Sequence, residues 1–263
     1  AAFEAADAAA FAAGRSLLVS PGTYFLDADV TLEAPVRFEG KLSMPVNRRL
    51  AITRNYTLDA YVDAFGDEEQ GFRKAFQALI NFTDHDSLDM GGRRVNVTAP
   101  IDMQAAVNNK TTFFTRRVVR NGQFEVEAGP AWDPVVVTSL ATYSVSSDTQ
   151  LTAVANIANI APGSLVEGNG VGREVYVTAV NVGAGTLTLS KPLYDAAGTQ
   201  TFTFTRFKYV LDFSGFSALD KMSLAEVEIQ CNGYASGILL PPSGKNFLIR
   251  DCAINQPRNR GIT

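Results

Sequence analysis

Short apolar runs broken by turn residues recur along most of this chain, and two stretches carry apolar residues at helical spacing instead. Phe3 to Phe11 is alanine-rich with a helical apolar spacing and ends at Gly14, where a glycine just past a helix is expected. Leu17-Leu18-Val19 reads as a strand, Pro21-Gly22 as a turn and Thr23-Tyr24-Phe25-Leu26 as a second strand. Val30-Thr31-Leu32 and Val36-Arg37-Phe38 follow as further short β pieces. Phe72, Ala75, Phe76, Leu79 and Ile80 form the second helical stripe. Ser87-Leu88-Asp89, Gly91-Gly92 and Arg94-Val95-Asn96-Val97 then repeat the order strand, turn, strand. Residues 54 to 67 between these blocks read as a polar, irregular connector broken at Gly66.

The β runs continue through Val118-Val119 and Phe124-Glu125-Val126 until Gly129-Pro130 breaks the pattern. Residues 131 to 206 contain one Lys and two Arg among many Thr, Val, Ala and Gly. Val175 to Val180, a Gly183-Ala184-Gly185 turn and Thr186 to Leu189 predict an antiparallel hairpin, so this stretch reads as an inserted small β-barrel or sandwich. Beyond Arg206 the first pattern resumes. Glu226-Val227-Glu228-Ile229-Gln230 aligns with Asp251-Cys252-Ala253-Ile254-Asn255 at an offset of 25 (251 − 226), and Gly237-Ile238 aligns with Gly261-Ile262 at 24 (261 − 237). Short strands at such a period predict stacked coils that bury their inward residues against one another. Neither end reads as a natural terminus, so the pattern predicts continuation past Thr263.

Composition narrows the function classes. Of 263 residues, 46% are hydrophobic, enough for a substantial core. The net charge is −4 and no Lys/Arg run stands out, which speaks against nucleic acid and anionic membranes as partners. Acidic polysaccharides stay open, because local basic patches form on acidic proteins too. No stretch approaches the roughly 20 apolar residues of a membrane span. Cys231 and Cys252 make no disulfide framework and read as reduced core residues in alternating strands. A single histidine, His85, removes most histidine-based catalytic and metal schemes, and no cofactor motif is present. Asn-x-Thr triplets at Asn55, Asn81, Asn96 and Asn109 matter only in a eukaryotic secreted protein.

The opening from Ala1 to Leu26, with Val19-Ser20-Pro21-Gly22-Thr23-Tyr24, resembles the start of the pectate-lyase-like superfamily. The segments around Ala161-Pro162-Gly163-Ser164-Leu165 and Thr186 to Ser190 are similar to small β modules of phage tail and spike proteins. Together they resemble a tailspike-type protein of a phage or phage-like particle, gene-transfer-agent spikes and head spikes included. The resemblance implies an all-β fold, a right-handed parallel β-helix with an N-terminal capping helix and an inserted antiparallel β domain. The corresponding domains are residues 1–130, 131–206 and 207–263. It also implies a homotrimer on the virion surface, contacting other particle proteins and binding host surface (capsular) polysaccharide. A depolymerase activity, hydrolase or lyase, would lie further along than this chain reaches.

Several residues are candidates for chemistry. Glu226 and Asp251, one repeat apart, could stack on one face as the carboxylate pair of a glycoside hydrolase, but a solvated pair of surface acids explains them better. Arg258 and Arg260 occupy a turn that could contact an anionic sugar or be an ordinary polar turn. Trp132, the lone tryptophan, could be a sugar-stacking platform or boundary packing. Asp84, His85, Asp86 and Asp89 look like a metal cluster, but turn formation explains them better, so no metal site is expected. Three functions remain: a saccharide-binding spike, a structural base that anchors a spike to its particle, and a secreted polysaccharide hydrolase or lyase.

Overall fold

The computed structural model describes residues 2–82 and 85–263. The chain divides into two compact units, one built from the residues up to Trp132 together with Tyr209–Thr263, the other from Asp133–Lys208.

The first unit opens with helix α1 (Ala2–Ala12) and six short strands, β1 (Leu17–Val19), β2 (Thr23–Phe25), β3 (Val30–Leu32), β4 (Val36–Phe38), β5 (Lys41–Ser43) and β6 (Leu50–Ile52). They pair in parallel as β1 with β4, β2 with β5 and β3 with β6. Val30 and Leu32 point inward while Thr31 faces solvent, the two-residue alternation of a strand with one buried side. Gly40 sits where two turns touch: a Cβ there would stand 2.2 Å from the Ser20 carbonyl oxygen. The alanine face of α1 stays largely exposed. Its buried residue is Asp7, whose carboxylate accepts the Glu33 and Ala34 N–H groups at 2.9 and 3.0 Å and so docks the helix.

Helix α2 (Leu58–Phe65) occupies part of the expected connector. Thr57 caps its start by accepting the Ala60 N–H, and Gly66, at φ 67°, ends it. Helix α3 (Glu68–Asn81) follows with Asp67 as its cap. Both helices are buried. Phe72 stands edge-on to Phe124 at 4.8 Å, and Phe76 meets Phe213 at 6.3 Å. Burial of each phenyl contributes about 1.5–3 kcal/mol. The chain then forms β7 (Ser87–Asp89), β8 (Arg94–Val97), β9 (Ile101–Asp102), α4 (Met103–Val107), β10 (Thr112–Phe113) and β11 (Arg117–Val126).

The second unit comprises β12 (Val135–Tyr143), β13 (Gln150–Thr152), β14 (Leu165–Glu167), β15 (Val175–Asn181), β16 (Thr186–Leu189) and β17 (Gly198–Arg206). These close into an antiparallel barrel in the order β12-β13-β16-β15-β14-β17 around Leu151, Leu187, Phe202 and Phe204. The first unit resumes with β18 (Tyr209–Asp212), β19 (Ala218–Leu219), β20 (Met222–Gln230), β21 (Ser236–Leu239), β22 (Leu248–Arg250) and β23 (Ala253–Asn255).

This architecture corrects the expected fold class. The chain does not form an all-β, right-handed parallel β-helix. Among the described residues its parallel pairings are split among four two-stranded sheets, one three-stranded sheet and one six-stranded sheet, while β12 to β17 form a closed antiparallel barrel. Two causes break up the parallel pattern. Most strands are only two to four residues long, and left-handed residues such as Lys221, Asn246 and Asp251 lie in the gaps between them. Helices α2 and α3 fill core volume that a continuous strand stack would otherwise occupy.

Lys74 on α3 is nearly fully buried, and its ammonium donates to the carbonyls of Pro45, Val46 and Arg48 and to the Gln77 side chain. Burial pulls its pKa down to about 8, against the opposing attraction of Asp29. The unfolded chain, with an ordinary lysine pKa near 10.4, therefore binds more protons than the native state between about pH 8 and 10.4. Unfolding free energy should rise with pH across that window. The Lys74→Met variant should lose this slope in urea titrations at pH 7.5, 9 and 10.5; an unchanged slope would sink the assignment.

Candidate functional site

The six-stranded parallel sheet carries the most organised polar surface. Strand β11 pairs with β7 and β8 on one side and with β20 on the other; β20 in turn pairs with β22 and β23. The ladder places Arg94, Gln123, Glu228 and Ala253 in one row and Asn96, Glu125, Gln230 and Asn255 in the next. Their neighbours Val95, Phe124 and Ile229 are buried and Ile254 is partly buried, so these eight positions face outward. Strand spacing is about 4.8 Å and rows lie about 6.6 Å apart, making a flat grid of hydrogen-bonding groups.

The grid is internally bonded. Arg94 Nε donates to Gln123 Oε1 at 2.7 Å, and Gln123 Nε2 donates to Glu228 Oε2 at 2.8 Å. Glu228 Oε1 accepts from Gln230 at 2.6 Å and from Asn255 at 3.0 Å. Arg94 also pairs with Glu125 at 2.7 Å. One carboxylate thus takes three amide donors from three strands, which fixes the amide rotamers before any ligand arrives.

A bend borders the grid. Asn121 and Glu226 share a register position on β11 and β20, and the register on either side sets Asp251 opposite Glu226; all three are left-handed, at φ 58°, 55° and 53°. Asp89 holds this bend. Burial pushes its carboxyl up, but the Gly91 N–H, the Asn121 amide and Arg120 outweigh that and keep it below the usual carboxylate range.

The sequence candidates are placed as follows. Glu226 and Asp251 come onto adjacent chain segments, both exposed, at this bend; Asp251 lies 3.8 Å from Arg250. Arg258 and Arg260 lie on the segment that bonds to the start of β21, through Arg258 N to Ala235 O and Gly237 N to Arg260 O. Trp132 is 1% exposed and donates its Nε1–H to Glu127 O, which is core packing and leaves no face for a sugar. Cys231 is buried, its thiol pushed up to about 12 by burial, and Cys252 is half-buried; both are free thiols, and both lie just outside the strands expected to hold them. Asp84 lies outside the described residues. His85 stacks on Tyr56 at 4.8 Å with Nε2 2.8 Å from Thr53 O, while Asp86 pairs with Arg116. No group of three or more metal-ligating side chains occurs among the described residues. The cavity beside Tyr56, Tyr61 and His85 holds about 10 Å³, room for about one water. No helix among the described residues is long and apolar enough to cross a membrane.

Sequence reasoning missed Arg94, Asn96, Gln123, Glu125, Glu228, Gln230 and Asn255. The available signal was polar–apolar alternation in β8, β11 and β20, with amides at the polar positions.

No family model and no curated protein matches the chain. Among solved structures, the Gp54 tailspike of Acinetobacter baumannii bacteriophage AP22, in complex with A. baumannii capsular saccharide, is similar at 13% identity with a TM-score of 0.23. The match covers 74% of this chain and 35% of that one, so the chain spans about a third of its length. A likeness this weak carries no argument about fold or function.

Proposed function

We propose that the chain is a saccharide-binding part of a spike on a phage-like particle, with the outward grid of the six-stranded sheet as the binding surface. The grid is the observation that carries this reading. It presents four amides, two carboxylates and a guanidinium on one flat face, and all of these except Asn96 are held by mutual hydrogen bonds or an ion pair. Sugar hydroxyls both donate and accept, so a chain of them is matched by a surface that mixes donors with acceptors. The regular row spacing suits an extended polymer better than a compact small molecule, which would need a concave pocket. Placement on a particle is supported by the likeness of the Thr- and Gly-rich 131–206 sequence to modules of phage tail and spike proteins. Calorimetric titration of the chain against a panel of purified bacterial capsular polysaccharides should give saturable binding to at least one. Inertness across the whole panel would overturn the reading.

A further inference from the structure

We infer that the saccharide segment accepted by this grid is uncharged, an inference that rests on the polysaccharide-binding reading above. Charge on the grid is confined to Arg94, Glu125 and Glu228, a net of −1 (one cation, two carboxylates). Arg94 stands on the outer strand β8, where its Nε donates to Gln123 and its charge is paired with Glu125 through one terminal nitrogen. The two carboxylates lie on the inner strands β11 and β20 in adjacent rows. A uronate, sulfate or phosphate group laid along the inner strands would therefore meet a carboxylate, because the grid's one guanidinium stands on the edge strand and its charge is offset by Glu125, which leaves the charge of Glu228 over. The nearby Arg250 belongs to β22, beyond the left-handed bend, and lies beside Asp251.

What the grid offers instead suits neutral hydroxyls. Glu228 uses three of a carboxylate's roughly four acceptor sites on Gln123, Gln230 and Asn255, leaving one for a ligand hydroxyl. Each of those amides spends one N–H on Glu228 and keeps a second to give. Each acidic sugar facing one of the carboxylates should weaken binding roughly five- to tenfold at low salt, and screening should reduce that penalty. A neutral chain has no such salt dependence.

Carboxyl reduction provides the test, because it turns a uronate-bearing polysaccharide into a neutral one with the same linkages. We expect the reduced polymer to bind at least tenfold more tightly than its acidic parent. Binding of neutral polymers should change less than about twofold between roughly 0.05 and 0.5 M NaCl. The double variant Glu125→Gln/Glu228→Gln should narrow the gap between parent and reduced polymer. An acidic parent that binds as well as its reduced form, or binding that weakens steeply with salt, would overturn the inference and leave saccharide binding standing. Failure of every polymer, acidic or reduced, would remove both.

Discussion

Replacing Arg117 by methionine should lower the stability of the first unit by about 2–4 kcal/mol. The Arg117 side chain is almost fully buried at the start of β11 and closes the end of α3: Nε donates to Leu79 O at 2.6 Å and a terminal nitrogen to Phe82 O at 2.9 Å, while the other donates to Arg116 O. Carbonyls in the last turn of a helix have no partner within the helix, and a cation there also answers the negative end of its dipole. Methionine fills similar volume but leaves these acceptors unpaired, at about 1–3 kcal/mol each, partly offset because no guanidinium need then be desolvated. Lys110, which lies over the same Phe113 ring as Arg117, donates to a different carbonyl, Ile80 O, and so does not cover the acceptors that Arg117 serves. For a unit of this size the melting midpoint should fall by roughly 5–15 °C. Arg117→Lys should fall between wild type and methionine. A midpoint unchanged in Arg117→Met would show that the cap contributes nothing.

Glu228→Ala should weaken saccharide binding roughly 10- to 100-fold while costing less than about 1 kcal/mol of stability. The half-exposed carboxylate contributes little to folding, since water can replace it for its partners. Its effect on binding is larger because it orders Gln123, Gln230 and Asn255. Each of these side chains, once released, would have to be immobilised by the ligand at about 0.5–1.5 kcal/mol. Affinity and thermal stability measured on the same preparation separate the two effects. An equal affinity in the variant would place the ligand elsewhere.

Parts of this arrangement could be read from the sequence and parts could not, for identifiable reasons. The offset of 25 is the strand register itself: Glu228 pairs with Ala253 and Gln230 with Asn255, and the offset of 24 returns as the Ile238–Ile262 bridge. It was visible because β20 and β23 lie close in sequence with nothing between them except β21, β22 and turns. The stripe Phe72 to Ile80 announced α3, since its apolar residues share one face. Helix α2 was hidden by Asp59 and Asp63, although Thr57, the spacing of Leu58, Tyr61, Val62 and Phe65, and Gly66 spell out a capped helix. The bend escaped notice because Glu226 and Asp251, rather than glycines, take the left-handed conformation there.

The grid was the least legible feature. Gln123 meets Glu228 across 105 residues of sequence, with the whole barrel in between, and Arg94 meets Gln123 across 29. No period connects them. Attention therefore fell on Glu226, two residues before the carboxylate that organises the surface. Trp132 and His85 drew notice as single examples of chemically capable residues, yet each is satisfied by packing and one backbone carbonyl. Regular spacing betrays stacked neighbours, whereas a site assembled across an insertion leaves only alternation within each strand.

Saccharide is expected to lie on this grid. The most direct test follows the side-chain amide signals of Asn96, Gln123, Gln230 and Asn255 by NMR during titration with a polysaccharide the chain binds. These four should shift together and saturate with the measured affinity, while Gln150 and Gln200 of the barrel stay fixed. Shifts confined to the barrel, or anywhere else with these four amides unmoved, would contradict the account.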